Sequence, residues 1–199
     1  GRQFGSGGHE IGDRLSKSLG IPLYDRNLVE MAADKMGLSE ISVEEVDESV
    51  LNTFLSAYRY PDHVNSFTGY GLPLNDSTYL TQSSIIESLA KRGPCIIVGR
   101  CADYSLRHMK NVVNVFIHAS MEYRMERAIR LYDVPEKHAK GVLARTDKQR
   151  ASYYNFYTDQ DWDDMRNYDL ALDSSKIGAD GAVEVILRYA EMKQKLLAK

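Results

Sequence analysis

The chain opens with Gly1-Arg2-Gln3-Phe4-Gly5-Ser6-Gly7-Gly8-His9-Glu10-Ile11-Gly12, which holds five glycines in twelve residues. A helical pattern follows at once, with Ile11, Leu15 and Leu19 on one face and Gly20 as its end. Glycines let backbone N–H groups approach an anion, and the first turn of a helix adds free donors and a positive dipole end. The stretch therefore predicts a phosphate-binding loop. A flexible Gly/Ser linker is the alternative, which the immediate start of an apolar helix disfavours.

Composition predicts one globular domain. The chain has 199 residues, 43% of them hydrophobic and 27% charged, with a net charge of -3. This charge gives no general attraction to nucleic acid or anionic membranes, and no apolar run approaches the length of about 20 residues that spans a bilayer. Cys95 and Cys101 are not in a Cys-x-x-Cys arrangement, so we expect a reduced, cytoplasmic setting. The oligomeric state is not specified by the sequence.

The position of the loop carries a further expectation. A phosphate loop of this kind normally follows a buried strand, whereas here it begins at residue 1. We therefore expect a few apolar residues to precede Gly1 in the full protein.

Strand and helix patterns alternate after the loop. Short apolar strands are predicted at 21–25, 95–98, 112–117 and 169–173, and the stretch from Tyr58 to Asn75 has no period. Helices are predicted at 11–19, 27–36, from 42 to 55, 76–91, 120–131, from a cap at 133–136 to about 157, and from 179 onward. This order predicts an α/β domain whose parallel sheet is covered by helices on both faces.

Ligands of such folds bind at the carboxyl ends of the strands. Asp25, Arg100, Asp103 and Ser120 follow predicted strands, as does the 173–175 segment. Each has a plainer interpretation: Asp25 as a helix N-cap, for example, and Arg100 as a surface ion-pair partner. Together, however, a phosphate loop and convergent cations are what phosphoryl transfer requires.

Helix 120–131 adds three arginines at a spacing of three, Arg124, Arg127 and Arg130, opposite its apolar side. They are either a solvated face or cations directed at the site.

These features resemble the cytidylate-kinase-like branch of the nucleoside monophosphate kinases, which belong to the P-loop NTPases. The resemblance covers nearly the whole chain, and no single segment carries it alone. Its segments are Arg-Gln-Phe-Gly-Ser-Gly-Gly-His-Glu-Ile-Gly (2–12), Leu-Gly-Ile-Pro-Leu-Tyr-Asp-Arg (19–26), Ile-Ile-Val-Gly-Arg-Cys-Ala-Asp-Tyr (96–104), Phe-Ile-His-Ala-Ser-Met-Glu-Tyr-Arg (116–124), Asp-Lys-Gln-Arg-Ala-Ser-Tyr-Tyr (147–154) and Tyr-Asp-Leu-Ala-Leu-Asp-Ser-Ser (168–175).

The resemblance implies ATP-dependent phosphorylation of a nucleoside monophosphate such as CMP or dCMP, with Mg²⁺. It also implies a single P-loop kinase-like domain over 1–199, with a helical acceptor-binding insertion at about 38–92 and a helical lid at about 132–160. Arg100 and Asp103 would bind the acceptor, and Asp25 would lie near its sugar or the metal. The donor phosphates would be held by Gly5, Ser6, Gly7, Gly8, His9 and Glu10, and the lid would supply Arg145, Asp147 and Arg150.

The loop departs from the usual motif, which ends in Gly-Lys-[Ser/Thr]. Gly8 stands at the lysine position, and His9 or Glu10 at the hydroxyl position. A cation in phosphoryl transfer is worth about 10³–10⁵ in rate, or roughly 4–7 kcal/mol. An enzyme would therefore need a replacement, for which Arg2, Arg124, Arg127 and Arg145 are the candidates, while Glu10 or Asp25 could bind Mg²⁺.

Two other functions remain open from the sequence. One is a kinase of another small metabolite on a similar scaffold. The other is a non-catalytic nucleotide-binding or regulatory protein, which the glycine at position 8 favours. Arg100, Asp147 and Arg150 favour the enzyme, because a binder needs neither an acceptor-side arginine nor a lid. The His and Cys residues show no zinc-ligand spacing.

Overall fold

The structure of the protein is a computed structural model that describes residues 1–25, 28, 31, 34 and 72–198. Leu28, Met31 and Asp34 are helical, in agreement with the helix predicted at 27–36. The helix predicted from 42 to 55, and most of the acceptor-binding insertion predicted at about 38–92, lie outside the described residues.

The described helices and strands follow one another in the order that the sequence predicts. In chain order they are α1 (Gly8–Leu19), β1 (Leu23–Tyr24), α2 (Leu72–Arg92), β2 (Ile96–Ile97), α3 (Ala102–Ser105), β3 (Val115–His118), α4 (Met121–Tyr132), α5 (Glu136–Thr158), a 3₁₀ turn (Met165–Asn167), β4 (Leu170–Asp173) and α6 (Ser174–Leu197). The protein is thus a mixed α/β fold.

All described strand pairs are parallel. Leu23 pairs with Ile96 in the β1–β2 sheet, and Val115 pairs with Leu170 in the β3–β4 sheet. The first three residues run beside β3, because the Gln3 N–H donates to the Ile117 carbonyl at 2.9 Å.

One continuous sheet was predicted, whereas the described strands form two separate two-stranded sheets. Both sheets line a cavity of about 840 Å³, with Ile96 and Val98 from one sheet and Val115 and Ile117 from the other. The two small parallel sheets are therefore neighbours around this cavity.

Helix boundaries follow local signals closely. The α1 helix begins after Gly7 and ends at Gly20, both in the left-handed region with φ of 82° and 65°. In α6 the backbone of Gly178 is non-helical at φ 68°, so regular helix starts at the predicted residue 179. The α2 helix starts at residue 72 rather than 76. Pro73 then falls in its first turn, where proline is tolerated because its nitrogen needs no partner there.

Among the described residues the core consists of three hydrophobic clusters, and α1 is anchored in the one that holds Ile11, Leu15, Ile117, Ala182 and Ile186. Burial of these side chains fixes the helix against β3 and α6, which also fixes the loop that precedes it. Leu19, predicted on the same face, is 50% exposed because it is the last helical residue and lies beyond the core. A second cluster gathers Cys101, Phe116, Tyr154 and Trp162.

Within the part of the chain that the structure describes, no helix is both long and apolar enough to cross a membrane.

Candidate functional site

The glycine-rich loop forms a tight, rigid turn in front of α1. Gly5 and Gly7 both have left-handed backbones, with φ of 78° and 82°. A β-carbon on Gly5 would lie only 2.7 Å from the Arg124 carbonyl oxygen, so glycine is required there for two reasons. Ser6 is fully buried, and its hydroxyl lies 2.8 Å from the Gln3 carbonyl oxygen. Its side chain therefore holds the turn together.

The N-terminus of α1 is open toward the loop. Gly7 has no side chain to cap it, and the first amide bonded back into the helix is that of Ile11, which donates to the Gly7 carbonyl at 2.9 Å. The preceding amides of the first turn, at Gly8, His9 and Glu10, have no such helical partner, and the helix dipole adds partial positive charge there. This is the backbone arrangement that binds phosphate.

A buried arginine lies against this helix end. Arg127 is 8% exposed, and its guanidinium lies 3.4–3.7 Å from where a β-carbon on Gly7 would be. Its Nη2 donates to Glu10 at 2.7 Å, whereas its Nε has no hydrogen-bond partner among the described residues. A buried guanidinium with an unused donor is costly, so this geometry suits an anion at the loop.

The interpretation of helix 120–131 as a solvated arginine face is therefore wrong for two of its three arginines. Arg124 and Arg127 are buried, and only Arg130 is exposed. The sequence signal was present in their spacing, but spacing alone does not say which side of the helix meets the loop. Arg127, one of the cations that the sequence offered as a replacement for the lysine, thus lies against the loop at Gly7.

The carboxylate of Glu10 is paired with two arginines. Arg127 donates to one of its carboxylate oxygens and Arg14 to the other. The hydrogen bond from Arg127 is the largest cause that lowers the pKa of Glu10 below its ordinary value, and Arg14 adds to it. Each oxygen thus already accepts a hydrogen bond from a cation, and the charge of the two arginines disfavours a metal ion beside Glu10.

Residues of α5 meet the first half of the loop. The Phe4 N–H donates to Asp147 at 2.7 Å, and Asp147 also pairs with the buried Arg124. Arg150 donates to the Arg2 carbonyl at 3.1 Å. Burial, together with the charge of Arg2, lowers the pKa of Arg150, which stays protonated at neutral pH. Arg145, in contrast, is exposed on α5.

The end of β1 is joined to the loop through Asp25. One of its oxygens lies 2.9 Å from His9 Nδ1 and the other 3.6 Å from an Arg2 nitrogen. Asp25 is thus next to the loop, in contact with two of its residues. Magnesium typically uses one or two carboxylates and takes its other ligands from phosphates and water. The described ranges contain no group of three or more His, Cys, Asp or Glu arranged to hold a metal.

The end of β2 is unusual in its backbone. Gly99, Arg100 and Cys101 follow one another in the left-handed region, with φ of 77°, 59° and 52°. Such backbone is uncommon for residues with side chains and gathers at functional sites. It directs the chain out of β2 and into α3. The guanidinium of the loop residue Arg2 reaches Gly99, which precedes the half-buried Arg100.

Asp103 lies in the first turn of α3 and contacts the aromatic cluster. It accepts a hydrogen bond from the Tyr154 hydroxyl at 2.6 Å. Burial and this bond raise the pKa of Tyr154, so the hydroxyl remains a donor at neutral pH. Burial likewise raises the pKa of the Cys101 thiol to about 12, which rules out a thiolate nucleophile at this position.

Comparison with known proteins places this geometry in a family. The model of the cytidylate kinase-like family matches residues 1–176. Among solved structures, an uncharacterized protein from Eubacterium ventriosum ATCC 27560 is similar, with a TM-score of 0.72 and 26% identity over 96% of this chain and 94% of that one. The comparison with curated proteins returned no match. Because the family match covers most of the chain and includes the loop, both strand ends and the arginine-bearing helices, the protein belongs to the cytidylate kinase-like family.

Proposed function

We propose that the protein transfers the γ-phosphoryl group of ATP to a nucleoside monophosphate, with a CMP- or dCMP-like nucleotide as the acceptor. The observation that carries the proposal is the open α1 N-terminus with the buried Arg127 guanidinium beside it. Family membership supports nucleotide kinase activity in general. Small-molecule nucleotides are then its partners, and the P-loop architecture with a lid at about 132–160 is part of the same proposal.

The donor side is built from the loop. Backbone amides of Gly8, His9 and Glu10 would donate to the donor phosphates, while Gly5 and Gly7 give the turn its shape. Arg127 would contribute charge at the same point, oriented by Glu10. Magnesium that enters with ATP neutralises phosphate charge, and Asp25 is the residue that would hold it.

The acceptor side is built from the strand ends. Arg100 would pair the acceptor phosphate, for which its planar fork is suited, and Asp103 would bind the acceptor nucleotide. Tyr154 holds Asp103 in place. The two halves meet at the loop, so a bound donor and acceptor would be brought close together, which is most of what phosphoryl transfer requires.

A nucleotide-binding protein without turnover is the second candidate, favoured by Gly8 at the lysine position. The test is a coupled ADP-release assay with MgATP against a panel of nucleoside monophosphates and small hydroxyl metabolites, alongside calorimetric titration of MgATP. Turnover with a pyrimidine monophosphate supports the proposal. Turnover with a metabolite alone, or ATP binding with no turnover, overturns it in favour of the corresponding alternative.

A further inference from the structure

Two positions of the loop have exchanged their usual residue types. In the phosphate-loop motif Gly-x-x-x-x-Gly-Lys, the first glycine stands six positions before the lysine. With Gly7 as the second glycine, the lysine position is Gly8 and the first glycine position is Arg2. The chain thus has its cation where the motif has glycine, and a glycine where the motif has its cation.

In the structure, the side chain of Arg2 occupies the space that a side chain at position 8 would need. A β-carbon on Gly8 would lie 2.6 Å from the Arg2 β-carbon and 2.9 Å from its γ-carbon. Both Arg2 atoms are next to the backbone and cannot move aside easily, because Arg2 bridges to Ile117 and its carbonyl accepts from Arg150. The Arg2 stem therefore occupies the space from which a lysine at position 8 would start.

The Arg2 guanidinium extends to the junction of the two half-sites. A β-carbon on Gly99 would overlap its Nη1, and Asp25 lies 3.6 Å from its Nη2. The guanidinium thus lies between the loop, the end of β1 and the end of β2, with the Arg2 side chain 22% exposed. In the proposed function a cation there would lie between the donor phosphates at α1 and the acceptor phosphate at Arg100.

The other candidate cations are placed differently from Arg2. Arg124 is buried against Asp147, and Arg145 is exposed on α5. Arg127 lies against Gly7, where it is paired with Glu10, and does not share the space of the lysine position at Gly8. We propose that Arg2 replaces the loop lysine, its side chain crossing the vacant β-carbon position of Gly8 so that its guanidinium binds the ATP phosphates at the junction with the acceptor. This inference rests on the proposed function and names the residue that stands in for the missing charge.

The test is a reciprocal exchange of the two residues. Arg2→Gly removes the cation, Gly8→Lys adds one where Arg2 already lies, and the double variant Arg2→Gly/Gly8→Lys restores the usual motif. Gly99→Ala is the matched fourth variant, because it displaces the guanidinium without removing it. Arg130→Ala, exposed on α4, is the control for loss of an arginine in general.

We expect Arg2→Gly to weaken MgATP binding about 10- to 100-fold, since bonds to charged groups are worth about 1.5–3 kcal/mol. Phosphoryl transfer should fall by about 10³-fold or more. Gly8→Lys alone should lower the melting temperature through the clash, and the double variant should recover both the melting temperature and most of the ATP affinity. Gly99→Ala should weaken ATP binding in the Arg2 protein and have a smaller effect once Arg2 is removed.

The readouts separate this inference from the proposed function. If no acceptor is phosphorylated but the exchange pattern holds for ATP affinity, the kinase proposal fails and the role of Arg2 stands. If wild type transfers phosphate and Arg2→Gly binds and turns over normally, the role of Arg2 is overturned and the kinase proposal stands. A double variant no better than the two single variants, or a wild-type protein that does not bind ATP, also overturns it.

Discussion

The backbone N–H of Phe4 donates to Oδ1 of Asp147 at 2.7 Å, although the two residues are 143 positions apart. The other oxygen of Asp147 pairs with Arg124, whose side chain is 7% exposed. One carboxylate therefore joins the loop, α4 and α5. In this structure Asp147 acts on the loop by holding it, and we assign it a positioning role in the proposed reaction.

Replacing Asp147 by alanine should destabilise the fold strongly. It leaves Arg124 buried without its carboxylate and the Phe4 amide without its acceptor. Breaking one side of a buried pair typically costs about 3–5 kcal/mol, so we expect a loss of about 3 kcal/mol in the free energy of unfolding. Urea denaturation followed by the fluorescence of Trp162, which is buried in the aromatic cluster, measures it.

Asp147→Asn is the control for that variant, because it keeps an oxygen for Phe4 while it removes the charge opposite Arg124. It should fall between wild type and alanine. A loss below about 1 kcal/mol for the alanine variant would show that the pair is solvated and does not hold the loop.

Gly5→Ala should be far more damaging than Gly20→Ala. Both glycines have left-handed backbones, with φ of 78° and 65°. A β-carbon on Gly5 meets the Arg124 carbonyl at 2.7 Å, whereas one on Gly20 has nothing within 4 Å. Gly20→Ala should cost only the conformational strain of about 1–2 kcal/mol.

Gly5→Ala should lose more stability than Gly20→Ala, and it alone should bind ATP more weakly. The difference between the two variants measures the effect of the clash with the Arg124 carbonyl. Thermal unfolding and calorimetric titration with MgATP provide the two measurements. Equal destabilisation by the two alanines would mean that the loop and α4 are not in contact as described.

Acid should weaken the protein through Glu10. Arg127 and Arg14 lower the pKa of Glu10 from its ordinary 4.5 in the folded state. A lowered folded pKa contributes stability that is fully present above pH 4.5 and is lost as the pH falls through the folded value. Urea midpoints measured from pH 7 to pH 3 should therefore decline more steeply for wild type than for Glu10→Gln.

The exposed Glu126 on α4 offers the matched control. Glu126→Gln should follow the wild-type curve in the acid range. Parallel curves for wild type and Glu10→Gln would show that the ion pair between Glu10 and Arg127 does not stabilise the folded protein.

Tyr154→Phe should weaken binding of the acceptor and leave binding of the donor ATP unchanged. The variant keeps the ring of Tyr154 in its cluster and removes only the hydroxyl that donates to Asp103. A lost hydrogen bond of about 1 kcal/mol corresponds to about a fivefold rise in the acceptor KM, with the KM for ATP unchanged. An unchanged acceptor KM in Tyr154→Phe would show that Asp103 does not take part in binding the acceptor.

The sequence by itself determined the order of the elements and most of their boundaries. Gly7, Gly20 and Gly178 set helix limits through backbone conformations that glycine adopts easily, and the continuous apolar runs gave parallel strands. It also identified the glycine-rich loop and the glycine at position 8, where the motif has lysine, because a motif depends on residues that are close along the chain.

Tertiary structure alone decided how the side chains are partnered. Spacing put Arg124, Arg127 and Arg130 on one helix but could not say that two of them are buried against the loop. Nor could it show that Glu10 is held by two arginines, or that the Arg2 stem fills the space beside Gly8. These contacts join residues up to 143 positions apart, so they depend on how α1, α4 and α5 pack against one another rather than on any local pattern.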